Sequence, residues 1–519
     1  MSTRSHVKKN TYVDSVSLMS ISTKANALPG VQQAFAAMGT EMNKEVLAGL
    51  DLLGDELATA SPGDLMLIVV ADDDAQADAA MTGLEDLLVR KPAAQEAGET
   101  TYRTITGAAE GRPDANLAVI SVNGAFAPGQ VDAALDAGLH VMLFSDNVSL
   151  EEEVRLKKKA HEAGLLLMGS DCGTAIINGT ALCFANQVRR GRVGIVAASG
   201  TGAQEMSVRL HDFGAGVSQL IGTGGRDLSE EVGGIMMHDG ITALQQDAGT
   251  DVIVVISKPP ADSVARAILD RAATSPKPLL VCFLGAPDEL LEHAAERGVQ
   301  LFDRTKPTAL AAVLATGVRE EDLDLHALNW PLIEEVRAKL TDDQRYIRGL
   351  FAGGTLCDES MFLAMESYPN VWSNLRKEPE YRLTGASPMR EHTFLDLGED
   401  EFTNGRPHPM IDPTNRIAYL EQVAADPEVG VVVLDFVLGY GAHPDPVGVM
   451  LPTIRAAKER AAAEGRHLEI LAYVLGTDED EQGLADQIAA LEEAGVTIAS
   501  SSTNTGLLAR EFVRKGANA

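Results

Sequence analysis

Positive charge, aromatic rings, cysteine and long apolar runs are all scarce in this chain of 519 residues. Forty-three Lys and Arg stand against 75 Asp and Glu, a formal net charge of −32. Such a surface repels phosphate backbones and anionic bilayers, which argues against nucleic acid or a membrane as partner. Any anionic ligand must then be held by local devices, namely helix N-termini and a few well-placed Arg, Lys or His. The four cysteines, Cys172, Cys183, Cys282 and Cys357, have no metal-ligand spacing. They read as reduced thiols of a cytoplasmic protein, and no metal site is expected. No apolar run approaches the roughly 18 residues of a membrane span. The N-terminus lacks the apolar segment of a secretory signal. A Walker P-loop, an HExxH pair, a nucleophile elbow and an opening GxGxxG are missing too.

What the chain has is glycine, 48 residues of it, and short apolar runs. Runs at 65–70, 117–122, 141–144, 165–168, 193–197, 252–256, 279–283, 431–436 and 470–474 are apolar on both faces. That is the pattern of parallel strands covered by helices on both sides. Helical stretches lie between them, so the spacing predicts doubly wound α/β layers. The expected domains are 1–190, 191–320 and 345–519, with the charge-rich 321–344 as linker. A weak internal repeat joins the last two. Each has a strand, a glycine turn and a helix (198–202; 350–355), then a loop (222–227; 394–400), a helix and a further strand.

Several motifs in this frame could carry chemistry. Ser199-Gly200-Thr201-Gly202 and Gly353-Gly354-Thr355 each follow a strand and open a helix, where backbone N–H groups can meet an anion. A plain N-cap explains either one alone; their recurrence favours a ligand. In the loop holding Gly224, Gly225, Arg226 and Asp227, Arg226 could fork a phosphate or carboxylate. Lys258 closes a strand, where ligands of open α/β sheets gather. In Gly405-Arg406-Pro407-His408-Pro409, two prolines stiffen the backbone around His408, which suits preorganised charge stabilisation. Cys172, in Gly169-Ser170-Asp171-Cys172-Gly173-Thr174, has no histidine partner and reads as a small structural residue.

These motifs, in this order, resemble the FdrA family, a branch of the succinyl-CoA-ligase (ADP-forming acyl-CoA synthetase) superfamily. The resemblance is carried by Val13-Asp14-Ser15-Val16-Ser17-Leu18-Met19 and by segments 144–149, 168–174, 198–202, 222–234, 257–260, 353–355 and 405–413. It implies a degenerate CoA-binding, Rossmann-like domain over 1–190. Two flavodoxin-like domains follow, the first like the ligase α subunit and the second like the β subunit. The ligases' phosphohistidine loop has no match after 279–283, where Cys282-Phe283-Leu284-Gly285-Ala286-Pro287 leads into a helix, and His293 sits downstream. Lys258 stands where the ligases place a glutamate, and the CoA phosphate loop and the ATP-grasp domain are missing.

The function this implies is a subunit of oxamate carbamoyltransferase in allantoin breakdown, working with partner proteins on carbamoyl phosphate or another acyl phosphate. The alternatives are an ADP-forming acyl-CoA synthetase subunit and a non-catalytic scaffold. Ser199, Gly200, Thr201, Gly224, Gly225, Arg226, Gly353, Gly354 and Thr355 are the expected phosphate contacts, and Lys258, Arg406 and His408 the expected catalytic groups. CoA or nucleotide would enter through a partner subunit, and a homo-oligomer is allowed.

Overall fold

The computed structural model describes residues 2–9, 11, 13, 15–26, 28, 30–40, 43–44, 47–48, 50, 52–89, 100–385, 387–403 and 407–514. Contacts divide the chain into one unit of residues 1–103 with 404–407, and a second of 104–403 with 408–519.

In the first unit, strands β1 (Ser2–Lys8), β2 (Val31–Met38) and β3 (Leu65–Ala71) form an antiparallel sheet in the order β1-β3-β2. Helices Ser15–Asn26 and Asp74–Val89 belong to the same unit. Along β3, Leu65, Leu67 and Val69 face one cluster with Leu84, while Met66 and Ile68 face another with Leu47 and Leu57. The resemblance implies one Rossmann-like domain over 1–190, and the apolar run at 65–70 predicts a parallel strand. A continuous apolar run reports burial on both faces and not the direction of its neighbours. Here that run is the centre of a small antiparallel sheet.

The second unit opens with a parallel sheet of β4 (Leu117–Ile120), β5 (His140–Leu143) and β6 (Leu167–Met168). The Rossmann-like part is thus short. The next sheet holds β7 (Thr174–Ile177), β8 (Thr180–Cys183), β9 (Arg190–Ala198), β10 (Val217–Gly222), β11 (Val252–Ser257), β12 (Leu279–Phe283) and β13 (Leu301–Phe302). Its order is β13-β12-β11-β9-β10-β7-β8. The last sheet holds β14 (Tyr346–Phe351), β15 (Val371–Ser373), β16 (His392–Asp396), β17 (Val429–Val437), β18 (Glu469–Leu475) and β19 (Thr497–Ile498), in the order β15-β16-β14-β17-β18-β19.

The repeat expected from the glycine turns is present as topology. With β7 and β8 set aside in one half and the short edge strand β15 in the other, both share the parallel order second-first-third-fourth-fifth: β10-β9-β11-β12-β13 and β16-β14-β17-β18-β19. That is the flavodoxin-like winding, whose ligands bind at the carboxyl ends of the strands. Each sheet is buried on both faces. Val431, Val433 and Val437 of β17 enter one cluster, and Val432, Leu434 and Phe436 the other. Helix Trp330–Lys339, within the expected linker, packs Ile333 and Val336 into the last half's core. Four helices matter for the site: α1 (Gly200–Asp212), α2 (Thr305–Ala315), α3 (Gly354–Met365) and α4 (Ser502–Phe512).

Candidate functional site

Two helix starts meet at the centre of the second unit. Ser199, in extended conformation after β9, caps α1 by accepting the Gly202 N–H at 3.2 Å. Helix α3 follows β14 through Ala352 and Gly353, whose N–H groups both donate to the Asp435 carboxylate at 2.7 Å. The two starts then cap each other. The Thr355 N–H donates to Thr201 Oγ1 at 3.2 Å, and the hydroxyls of Ser199 and Thr355 are hydrogen-bonded. A side chain at either glycine would crowd this approach. A Cβ on Gly202 would lie 3.1 Å from Thr355 Cγ2, and one on Gly353 3.0 Å from Thr201 Cγ2. The N–H groups of Gly200, Thr201 and Gly354 have no protein acceptor among the described residues. Two helix N-termini, with three open donors between them, therefore meet in one corner.

Lys258, just after β11, lies over the first residue of α3. Its Nζ would sit 2.8 Å from a Cβ on Gly354, and Asp396 touches the same point. Nζ is 3.8 Å from Asp358 and 3.6 Å from Glu399. Burial opposes the Lys258 charge, but Asp358, Asp396 and Glu399 outweigh it and hold the ammonium above its usual range. Burial in turn pushes Asp358 up to about 6 and Asp396 to about 7, against the pull of Lys258. One cation among these carboxylates leaves the corner negative when all are ionised. An arriving anion would favour the protonated forms of Asp358 and Asp396.

His408 lies beside the same turn. Its Nδ1 accepts the Met410 N–H at 3.2 Å, which assigns the proton of the neutral ring to Nε2. Nε2 is 2.5 Å from the place of a Cβ on Gly398, and the Ala352 carbonyl is 3.0 Å from that place. The ring faces Phe184, with centroids 6.4 Å apart. Burial, with the charge of Arg416, lowers the His408 pKa to about 4, so the ring is neutral near pH 7. It can donate from Nε2 but holds no proton to give up as imidazolium. Arg406 lies outside the described residues.

Arg226 is occupied. Its guanidinium reaches Glu153 at 2.6 Å, Ser170 Oγ at 2.8 Å and the Val148 carbonyl at 2.7 Å. Next to it, Asp227 accepts the Met237 N–H at 2.8 Å and pairs with Lys157 at 2.8 Å. Lys157 is fully buried and also holds Glu153 at 2.9 Å. Gly224, at φ +85°, brings its backbone against the Ser170 carbonyl, while Gly225 faces open space. The loop thus fastens helix Leu150–Glu162 to the first half instead of presenting a free fork. His293 is tied to Arg266 and Arg297 at 3.0 and 3.2 Å, and helix Asp288–Glu296 starts soon after β12.

Sequence reasoning missed Asp358, Asp396, Glu399, Asp435 and Arg416. A signal existed: Asp435 interrupts the apolar run of β17 and Asp396 ends that of β16. A carboxylate in such a run needs partners. Asp435 is fully buried, with Arg416 3.0 Å away.

Mutually facing helix starts thus stand at the carboxyl ends of two flavodoxin-like sheets. Comparison with known proteins places this arrangement among the CoA ligases. A family profile described as "CoA-ligase" matches residues 350–512, and one described as "CoA binding domain" matches 188–285. The latter lies almost wholly downstream of 1–190, where the resemblance implies the CoA-binding domain. Residues 1–104 match "AllF, heavy metal-associated domain". The chain is 27% identical over 198 residues to the ADP-forming sulfoacetate-CoA ligase subunit SauD of Bilophila wadsworthia, covering 36% of this chain and 65% of that one. It is 29% identical over 198 residues to the mitochondrial succinate–CoA ligase [ADP-forming] subunit alpha-2 of Trichomonas vaginalis, covering 35% and 62%. It is 58% identical, over the full length of both chains, to the uncharacterized protein YahF of Escherichia coli strain K12. The chain belongs to the YahF family, within the succinyl-CoA-ligase superfamily.

The words "heavy metal-associated" imply a metal in the first unit. Sites for soft metals are built from thiolate, thioether and imidazole. Residues 1–104 contain no cysteine, a single histidine, His6, and six methionines. Among the described residues no group of three His, Cys, Asp or Glu could hold a metal ion. Thiolate and clustered imidazole are therefore missing from the donor set of this segment. Among the described residues, too, no helix is long and apolar enough to cross a membrane.

Proposed function

We propose that this chain is the acyl-phosphate-handling subunit of a CoA-ligase-type enzyme, an ADP-forming acyl-CoA synthetase in the wider sense. The observation that carries the proposal is the mutual capping of the two helix starts through Thr201, Thr355 and Ser199. The phosphoryl oxygens would take the N–H groups of Gly200, Thr201 and Gly354, with the Nε2–H of neutral His408 as a further donor. Lys258 would balance charge, and Asp396 would accept a proton as the anion arrives. Gly224 and Arg226 would support the site from behind, and Gly225 would take no part. Nucleotide would be bound by a partner subunit, as suits a chain whose ligase relatives are themselves named as subunits.

A second reading is favoured by the short connection from β12 to helix Asp288–Glu296, which leaves no loop for a phosphohistidine. A transfer in which phosphate simply departs needs none. On the FdrA-type resemblance, that transfer is carbamoyl phosphate plus oxamate giving oxalurate plus phosphate.

One assay separates these readings. The chain, co-purified with its partners, receives acetyl phosphate and CoA, or carbamoyl phosphate with and without oxamate. Thioester formation with phosphate release supports the first reading. Oxamate-dependent phosphate release supports the second. Absence of both contradicts an acyl-phosphate role.

A further inference from the structure

Below the site, two buried glutamates make the same unusual connection in opposite directions. Glu205 of α1 and Glu359 of α3 each stand four residues after the threonine of their helix start, on the same helix face. Each crosses to the other half and caps its last helix. Glu205 accepts the Ser502 N–H of α4 at 3.1 Å, and its other oxygen receives the Tyr473 hydroxyl. Glu359 accepts the Thr305 N–H of α2 at 2.8 Å, the Thr305 hydroxyl at 2.9 Å and the Thr503 hydroxyl at 2.7 Å. The two capped starts touch as well, with the Thr305 and Thr503 hydroxyls 3.3 Å apart and the Lys306 N–H on Thr503 at 3.1 Å.

Four helix N-termini therefore converge on one interface, two capping each other and two capped across it. Both carboxylates are at most 1% exposed. A carboxylate at a helix N-terminus gains from the macrodipole as well as from its hydrogen bonds. Removing one partner of such a buried charged contact leaves groups unsatisfied on both sides, so the contact tolerates little sliding. Helices α1 and α3 are each gripped one turn behind their glycine-threonine start. Separating or shearing those starts requires breaking a clasp.

We infer that Glu205 and Glu359 are positioning residues which set the register of the two helix starts and hold the anion corner in shape. This rests on the proposed site. Glu205→Gln, Glu359→Gln and the milder Thr503→Val are compared with Ile268→Val, a core change in helix Asp262–Ala273 distant in sequence from both clasps. Two readouts are taken at a temperature where every variant is folded: amide hydrogen exchange of peptides covering 199–205 and 353–359, and acetyl phosphate binding by phosphorus NMR.

The expected result is at least tenfold faster exchange at both helix starts and at least tenfold weaker binding in the clasp variants. Ile268→Val should leave both within about twofold of wild type. If the Gln variants do not fold, Thr503→Val decides on the same readouts. Helix-start exchange that is unchanged, or that rises equally in Ile268→Val, overturns the inference. If wild type binds no acetyl phosphate while exchange still responds to the clasps, the positioning claim stands and the proposed function fails.

Discussion

At the scale of single residues the site is governed by charges that burial has shifted. Asp358 and Asp396 titrate near 6 and 7 in the folded chain, above their ordinary value. The folded state then binds more protons than the unfolded one, so these groups remove stability as pH rises from about 4 through 7. Lys258 limits that loss. Lys258→Met should deepen it: urea midpoints of variant and wild type should differ more at pH 8 than at pH 5. An equal difference at both would show that Lys258 does not balance these carboxylates. His408 runs the other way, its pKa lowered to about 4. Its imidazole signals should stay those of the neutral ring, protonated at Nε2, from pH 8 down to 5, and activity should show no limb near 6.5 from it. A His408 titration above 6 would contradict the donor role.

At the scale of elements, glycine turns and buried ion pairs do different work. Gly353→Ala would drive a methyl against Thr201 and Asp435. Overpacking of this kind costs about 1–3 kcal/mol and forces the starts apart. Thermal stability should fall by that amount and acetyl phosphate binding with it, while Gly225→Ala, facing open space, should change neither. The Lys157 network fastens helix Leu150–Glu162 to the Arg226 loop. Lys157→Met would remove the cation from Asp227, leaving it two backbone N–H partners, and leave Glu153 to Arg226 and Ser170; breaking a buried pair costs about 3–5 kcal/mol. Urea unfolding should register that loss, and a change under about 1 kcal/mol would deny the pair its structural role. The sequence showed this loop as rich in Arg, Asp and glycine but not what those groups face. Arg226 looked like a ligand fork because its partners, Glu153 and Ser170, lie far off in the chain. The helix starts were readable because a strand, glycines and a threonine in order fix local geometry by themselves.

At the scale of the whole molecule, the duplicated winding was legible from the matching order of turns, loops and strands. The division at Arg103 was not, since the apolar run of β3 fits either strand direction. The carboxylates around Lys258 escaped notice for a related reason. They gather from β16, its following loop and α3, and only the folded sheet brings them to one cation. What the duplication achieves is a shared corner: one helix start from each half, with open N–H groups inside a chain of net charge −32. A crystal structure with bound acetylphosphonate, a stable mimic of an acyl phosphate, tests that corner most directly. The phosphonate oxygens should lie within hydrogen-bond reach of the Gly200, Thr201 and Gly354 N–H groups, with the Nε2–H of His408 close by. A phosphonate bound elsewhere, with the threonine contacts between the helices intact and the corner empty, would contradict the account.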